Sequence, residues 1–172
     1  MKRQRVTPDN LDVLDRLMQL YLYDFSVYFC DEGDGFVGPD GRFDPGFPLS
    51  RYAEGSGSGH ESWLARVEGR WAGFALIGHR ADQHPHGGPG RAVQEFFVLP
   101  CFRRKGIGTA LARQVFDDYR GFWQIAQIAA NRPATAFWRT VISRYTGGRY
   151  ADYTKEERGR TLVWQTFDSS TW

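Results

Sequence analysis

Cysteine is scarce in this chain. Cys30 and Cys101 are the only two in 172 residues, and neither sits in a spacing that holds a metal or builds a disulfide framework. Nothing in this usage suggests an oxidising compartment. Long apolar runs are missing as well, since no stretch approaches the ~20 residues that a membrane-spanning helix needs. The basic start Met1-Lys2-Arg3-Gln4-Arg5 runs into Thr7-Pro8-Asp9 and not into an apolar segment, so it does not read as a signal peptide. Charge of one sign is not massed: 22 basic and 20 acidic residues leave a net charge of +2. That balance argues against nucleic acid as a partner. With no internal repeat and no compositional break, the expectation is a single domain over 1–172, in the cytoplasm, with no nucleic-acid or membrane partner.

Aromatic residues are plentiful, at 16% with six tryptophans. A chain of this length buries a real core, and its aromatics suggest an aromatic core or an aromatic-lined pocket. Thr7-Pro8-Asp9 is a helix start, with Thr7 as N-cap and Pro8 at the first helical position. Leu11, Leu14, Met18 and Leu22 recur at helical spacing and predict a helix to about Phe25 or Phe29. The Gly- and Pro-rich stretch 31–48 predicts a small hairpin or ordered loop around Gly38-Pro39-Asp40-Gly41. Its acidic residues lack the spacing of a calcium loop. Gly55-Ser56-Gly57-Ser58-Gly59 reads as a flexible connector.

Strands are predicted at 62–67 and 71–78 as a hairpin, at 91–99, at 123–130, and at 150–153 and 161–167 around a charged turn at 155–160. Helices are predicted at 109–120 and 133–144, with a loop at 79–90. His79, His84 and His86 invite a metal reading, but His84-Pro85-His86 in Gly-rich flanks fits a loop better, and no metal is expected. The order implies an α/β fold with a mixed sheet flanked by helices.

The most informative stretch runs from Phe96 to Leu111. A hydrophobic strand, a basic turn (Arg103, Arg104, Lys105), Gly106 and Gly108, and then a helix follow one another. Backbone N–H groups opening onto a helix N-terminus form an anion site, and glycines allow close approach of a ligand. A phosphate or pyrophosphate is implied. A Walker loop is excluded by spacing, and a Rossmann fingerprint by Leu111 at the place of its third glycine.

Arg103, Gly106 and Gly108, together with Phe97-Val98-Leu99-Pro100 and Asn131, resemble the acyl-CoA loop of the GNAT superfamily of acetyl-CoA-dependent N-acetyltransferases. The resemblance covers nearly the whole chain, least specifically before Glu61. It implies a mostly antiparallel mixed sheet that splays at the cofactor strand. It implies acetyl-CoA as cofactor, held by the backbones of Phe97, Val98 and Leu99 and by the loop Arg103, Arg104, Lys105, Gly106, Ile107, Gly108 and Thr109.

The family's second landmark is matched by Asn131, Ala134, Phe137 and Trp138. Asn131 caps the following helix, contacts the cofactor, or does both. Trp138 stands where the family places a tyrosine that protonates the departing thiolate. An indole N–H cannot give up that proton, so Trp138 either walls the cofactor arm or simply packs, and Tyr145 and Tyr150 are substitute donors to consider. Glu95 is the only ionisable side chain in 92–99 and is either the general base or a paired structural carboxylate. Gln94 can bind substrate but cannot be a base. Cys101, beside the cofactor turn, is a reactive thiol or a packed small residue. The acceptor pocket implied by the resemblance draws on Tyr21, Asp24 and Phe25. The function implied is acetyl transfer to a primary amine by direct attack in a ternary complex, with a small-molecule acceptor. A non-catalytic acyl-CoA sensor and a protein acetyltransferase are the alternatives, and the oligomeric state, a homodimer included, is left open.

Overall fold

A computed structural model describes residues 1–29, 37–80 and 90–170. Its centre is a seven-stranded sheet in the order β1-β2-β3-β4-β5-β7-β6. The strands are β1 (Lys2–Arg5), β2 (Glu61–Val67), β3 (Arg70–Arg80), β4 (Gly90–Val98), β5 (Phe122–Ile128), β6 (Ala151–Glu157) and β7 (Arg160–Asp168). Every neighbouring pair is antiparallel except β4 and β5, which are parallel. Helix α1 (Leu11–Ser26) covers one face; α2 (Ile107–Asp118) and α3 (Arg132–Thr146) cover the other.

Strand alternation feeds both cores. On the α1 side Leu64, Phe74, Leu76 and Phe97 pack with Leu14, Leu17 and Met18. On the other side Ala75, Ile77, Trp123, Ile125 and Phe167 pack with Leu111, Val115, Phe116, Trp138 and Ile142. The α1 stripe anticipated from the sequence is therefore core. The helix is entered through a 3-10 turn at Pro8–Asn10, where the Thr7 N–H donates to Asn10 Oδ1 at 2.9 Å.

Several elements differ from the sequence reading. β1 carries no apolar residue, so no periodicity marks it. It forms because Arg3 and Arg5 lie over the Trp63 ring at 4.2 and 4.1 Å and pair with Asp118 and Glu61. Such charge also guards an edge strand against pairing with other chains. β6 reaches Glu157, and the turn narrows to Arg158-Gly159, whose φ values of 50° and 76° suit a two-residue hairpin. Residues 38–42 form a turn, with the Gly41 N–H donating to the Gly38 carbonyl at 2.9 Å, and make no strand. The Gly-Ser segment is not a free connector: the Ser56 hydroxyl donates to the Arg51 carbonyl at 2.9 Å and the Ser58 hydroxyl reaches the same oxygen. His79 lies within β3, one residue before its end; His84, His86 and Cys30 lie outside the described residues. Among the described residues no helix is long and apolar enough to cross a membrane, and no group of His, Cys, Asp and Glu could hold a metal ion.

Candidate active site

The site begins with a separation of strands. β4 and β5 pair only from Gly90↔Phe122 to Val93↔Ile125. Beyond Val93 they diverge, so among the described residues the β5-facing edge of Gln94–Val98 has no strand partner. An extended ligand can pair with such an edge as an added strand would. Leu99 contributes less than its neighbours, because its N–H already donates to the Ala72 carbonyl at 2.8 Å.

A β-bulge sits at the point of divergence. Leu76 lies opposite Glu95 and Ile77 opposite Val93, which leaves Gln94 as the extra residue. A bulge re-aims side chains, and here Gln94 and Glu95 both line one cavity. Plain alternation would have put them on opposite faces. Gly78 makes room for this, since the Gln94 carboxamide fills the space a Cβ would take there. The Tyr52 hydroxyl donates to Gln94 Oε1.

Glu95 is half-buried and faces α1, where the Tyr21 hydroxyl donates to its Oε2 at 2.5 Å. Burial pushes the Glu95 carboxyl up to about 7 against the lowering effect of that hydrogen bond. Tyr21 is itself held well above its ordinary range, by burial first and then by the Glu95 charge, so it stays a donor. The cavity beside them measures about 280 Å³ and is walled by Phe47, Arg51, Tyr52, Gln94, Glu95 and Trp164.

The end of α1 and the turn that follows it span the open gap. On the β4 side Arg103 donates from Nη2 to Asp24 Oδ2 at 2.6 Å and from Nε to the Val98 carbonyl at 2.8 Å. On the β5 side the Tyr28 hydroxyl donates to Asn131 Oδ1 at 3.3 Å, and Arg160 lies over the Phe29 ring at 4.1 Å. Phe25 stacks on Tyr21 at 5.4 Å. Arg103 and Asp24 thus meet each other, while Arg104 and Lys105 stay exposed on the turn. Arg104 and Gly106 adopt positive φ, 58° and 77°, and this turns the chain into α2. That helix has no side-chain cap, so the N–H groups of Ile107, Gly108 and Thr109 face outward unpaired by the helix itself. Gly108 serves packing as well: a Cβ there would stand 3.2 Å from the Phe137 ring and 3.4 Å from Val98. Asn131 caps α3 by accepting the Ala134 N–H at 3.1 Å.

The sequence model of the Acetyltransferase (GNAT) family matches residues 17–141, well over half of the chain. The chain belongs to the GNAT family of acetyltransferases. The fold agrees with a GNAT-family protein from Desulfovibrio desulfuricans (TM-score 0.64, 15% identity, 98% of each chain covered). It also agrees with the GNAT domain of S. lividans PAT (TM-score 0.61, 16% identity, covering 96% of this chain and 89% of that one). Arabidopsis thaliana NAA60 in complex with acetyl-CoA is a third likeness (TM-score 0.59, 15% identity, 97% of each chain). The sequence matches no curated protein at a significant level.

As a GNAT acetyltransferase the chain is an enzyme of the acetyl-CoA-dependent N-acetyltransferase class. The splayed β4/β5 edge and the uncapped start of α2 fit an extended arm ending in phosphates. Trp138, which the sequence resemblance sets at the family's tyrosine position, is only 5% exposed and packs against Phe96, Phe137 and Phe116 at 4.9, 5.0 and 6.3 Å. Tyr145 donates to Asp117 at 3.0 Å and packs on Phe167, whose partner Trp123 lies at the paired end of β5. Tyr150 packs against the same α2/α3-side core. Cys101 is exposed. Sequence reasoning missed Phe47, Arg51, Tyr52, Gln124 and Trp164 in the cavity, and Tyr28 at Asn131. Arg51-Tyr52 lies in a segment without periodicity. Trp164 reaches the site only through the β5/β7 register, Ala126↔Trp164.

Proposed function

We propose that the chain transfers the acetyl group of acetyl-CoA to the primary amine of a small molecule by direct attack in a ternary complex. The observation that carries this reading is Glu95, a desolvated carboxylate at the bulge, between the unpaired edge of β4 and the cavity. Acetyl-CoA supplies the thioester whose carbonyl carbon the amine attacks, the C–S bond breaking as CoA leaves. Glu95 takes the proton from the arriving ammonium, and a carboxyl pushed up to about 7 is matched to that task near neutral pH. Tyr21 orients the carboxylate through its hydrogen bond. Phe97 and Val98 hold the cofactor arm through their backbones. The first turn of α2 and the charges of Arg104 and Lys105 hold its phosphates, with Asn131 at the far side of the gap. Tyr21, Asp24 and Phe25 frame the acceptor side. The small, aromatic-walled cavity favours a small amine over a protein segment, which would need an open groove.

Thiol release from acetyl-CoA across an amine panel tests the reading. Amine-dependent release with a matching mass gain on the amine is expected. A protein whose melting temperature rises with acetyl-CoA but which acetylates nothing contradicts it. The basic turn makes a separate prediction: acetyl-CoA affinity falls as ionic strength rises, and Arg104→Gln with Lys105→Gln flattens that dependence. A salt-independent dissociation constant would leave the turn as mere solvated surface.

A further inference from the structure

Arg51 stands on the short 3-10 helix Leu49–Tyr52 and lines the same cavity as Glu95. Its Nη2 lies 2.9 Å from His60 Nε2. His60 Nδ1 lies 3.1 Å from the Ser58 carbonyl, which fixes the tautomer: Nδ1 carries the hydrogen and donates, and Nε2 accepts from Arg51. Burial lowers the His60 pKa, and the charges of Arg51 and His79 lower it further, against the raising effect of the Ser58 carbonyl. The imidazole is therefore neutral. It aims the guanidinium without cancelling its charge. Tyr52 adds a ring 5.8 Å from the guanidinium carbon. Among the described residues Arg51 has no carboxylate within ion-pair distance. Gln124 lines the same cavity; it is 6% exposed, and among the described residues its Oε1 has no hydrogen-bond partner. Among the described residues the cavity thus pairs a base and a spare acceptor with an oriented cation that no carboxylate contacts.

We infer that the acceptor is an amine that also carries an anionic group, a carboxylate or a phosphate, and that Arg51 holds the anion while the amine faces Glu95. A guanidinium offers such a group two parallel N–H donors. The opposite charges of cavity and acceptor then set the orientation, amine toward the β4 edge and anion toward the 3-10 helix. This inference rests on the cavity being the acceptor site.

The test compares matched acceptors. Glycine, β-alanine and 4-aminobutyrate are each set against the corresponding carboxamide, and phosphoethanolamine against ethanolamine. The anionic member of at least one pair is expected to win in kcat/KM by about tenfold to a hundredfold, the span of a hydrogen bond to a charged group, and mostly through KM. The pair that shows the largest ratio distinguishes carboxylate from phosphate. Arg51→Gln collapses that ratio to about one, and Arg51→Glu reverses it, so that 1,3-diaminopropane outruns β-alanine. The reversal is a gain that a misfolded variant cannot mimic. Carboxamides that match or beat their acids in the wild type, or a ratio that survives Arg51→Gln, would overturn the anion site. Turnover of neutral amines that depends on Glu95 would then still support the proposed function. No turnover of any amine, by a protein that binds acetyl-CoA, would sink both.

Discussion

Glu95→Gln lowers turnover by about two to four orders of magnitude at neutral pH, the usual cost of losing a general base, while the protein becomes more stable. The two effects share one cause. The folded state desolvates Glu95 and pushes its carboxyl from 4.5 up to about 7. Between those values the folded chain keeps a proton that the unfolded chain has released, so stability falls as pH rises through the window. Above it the charged carboxylate costs up to about 3 kcal/mol relative to a group with an unshifted pKa. Glutamine carries no such charge and still offers Tyr21 an oxygen. The melting temperature of Glu95→Gln therefore exceeds that of the wild type at pH 8, and the gap closes toward pH 5. In the wild type, kcat/KM rises with pH through about 7, and the deficit of the variant shrinks at high pH, where the amine arrives unprotonated. Undiminished turnover in a stable Glu95→Gln protein that binds acetyl-CoA would reduce Glu95 to a structural carboxylate.

Trp138→Ala costs about 3–5 kcal/mol, the range for truncating a large aromatic in a packed core. The ring contacts Phe96 on β4, Phe137 on α3 and Phe116 on α2, so its loss opens a void where three elements meet. That is a large share of the 5–15 kcal/mol by which a domain is usually stable, and chemical denaturation reads it directly. Trp138→Phe keeps most of the packing and leaves turnover within several-fold. A larger loss of turnover, with the melting temperature and acetyl-CoA binding intact, would make the indole a participant in the reaction.

The central elements of the fold were legible because their periodicities are strong. The stripe of α1, the hairpin of β2 and β3, and the strand–turn–helix from Phe96 to Leu111 each announce themselves by spacing and glycine. β1 and the outer half of β6 were not legible. Their residues are polar and charged: β1 becomes a strand through a partner distant in sequence, Trp63 under Arg3 and Arg5, and the outer half of β6 through its pairing with β7 across the Arg158-Gly159 turn. In the site, Glu95 stood out as a charge in a hydrophobic strand, but the face it meets depends on the bulge at Gln94. The bulge is a property of the β3/β4 register, which no local pattern encodes. Arg103 and Asp24 were each readable as ligand-facing. Their pairing joins α1 to the loop after β4 across 79 residues of sequence, and only the folded chain reveals it. Arg51, His60 and Trp164 converge from three separate segments and share no motif.

Amide hydrogen exchange with and without acetyl-CoA tests most directly whether the β4/β5 gap takes the cofactor beside Glu95. Slower exchange is expected over Gln94–Val98 and over Ile107–Thr109 when acetyl-CoA is bound, with the edge strands β1 and β6 unchanged. Unaltered exchange at both segments, under conditions where acetyl-CoA raises the melting temperature, would contradict the account.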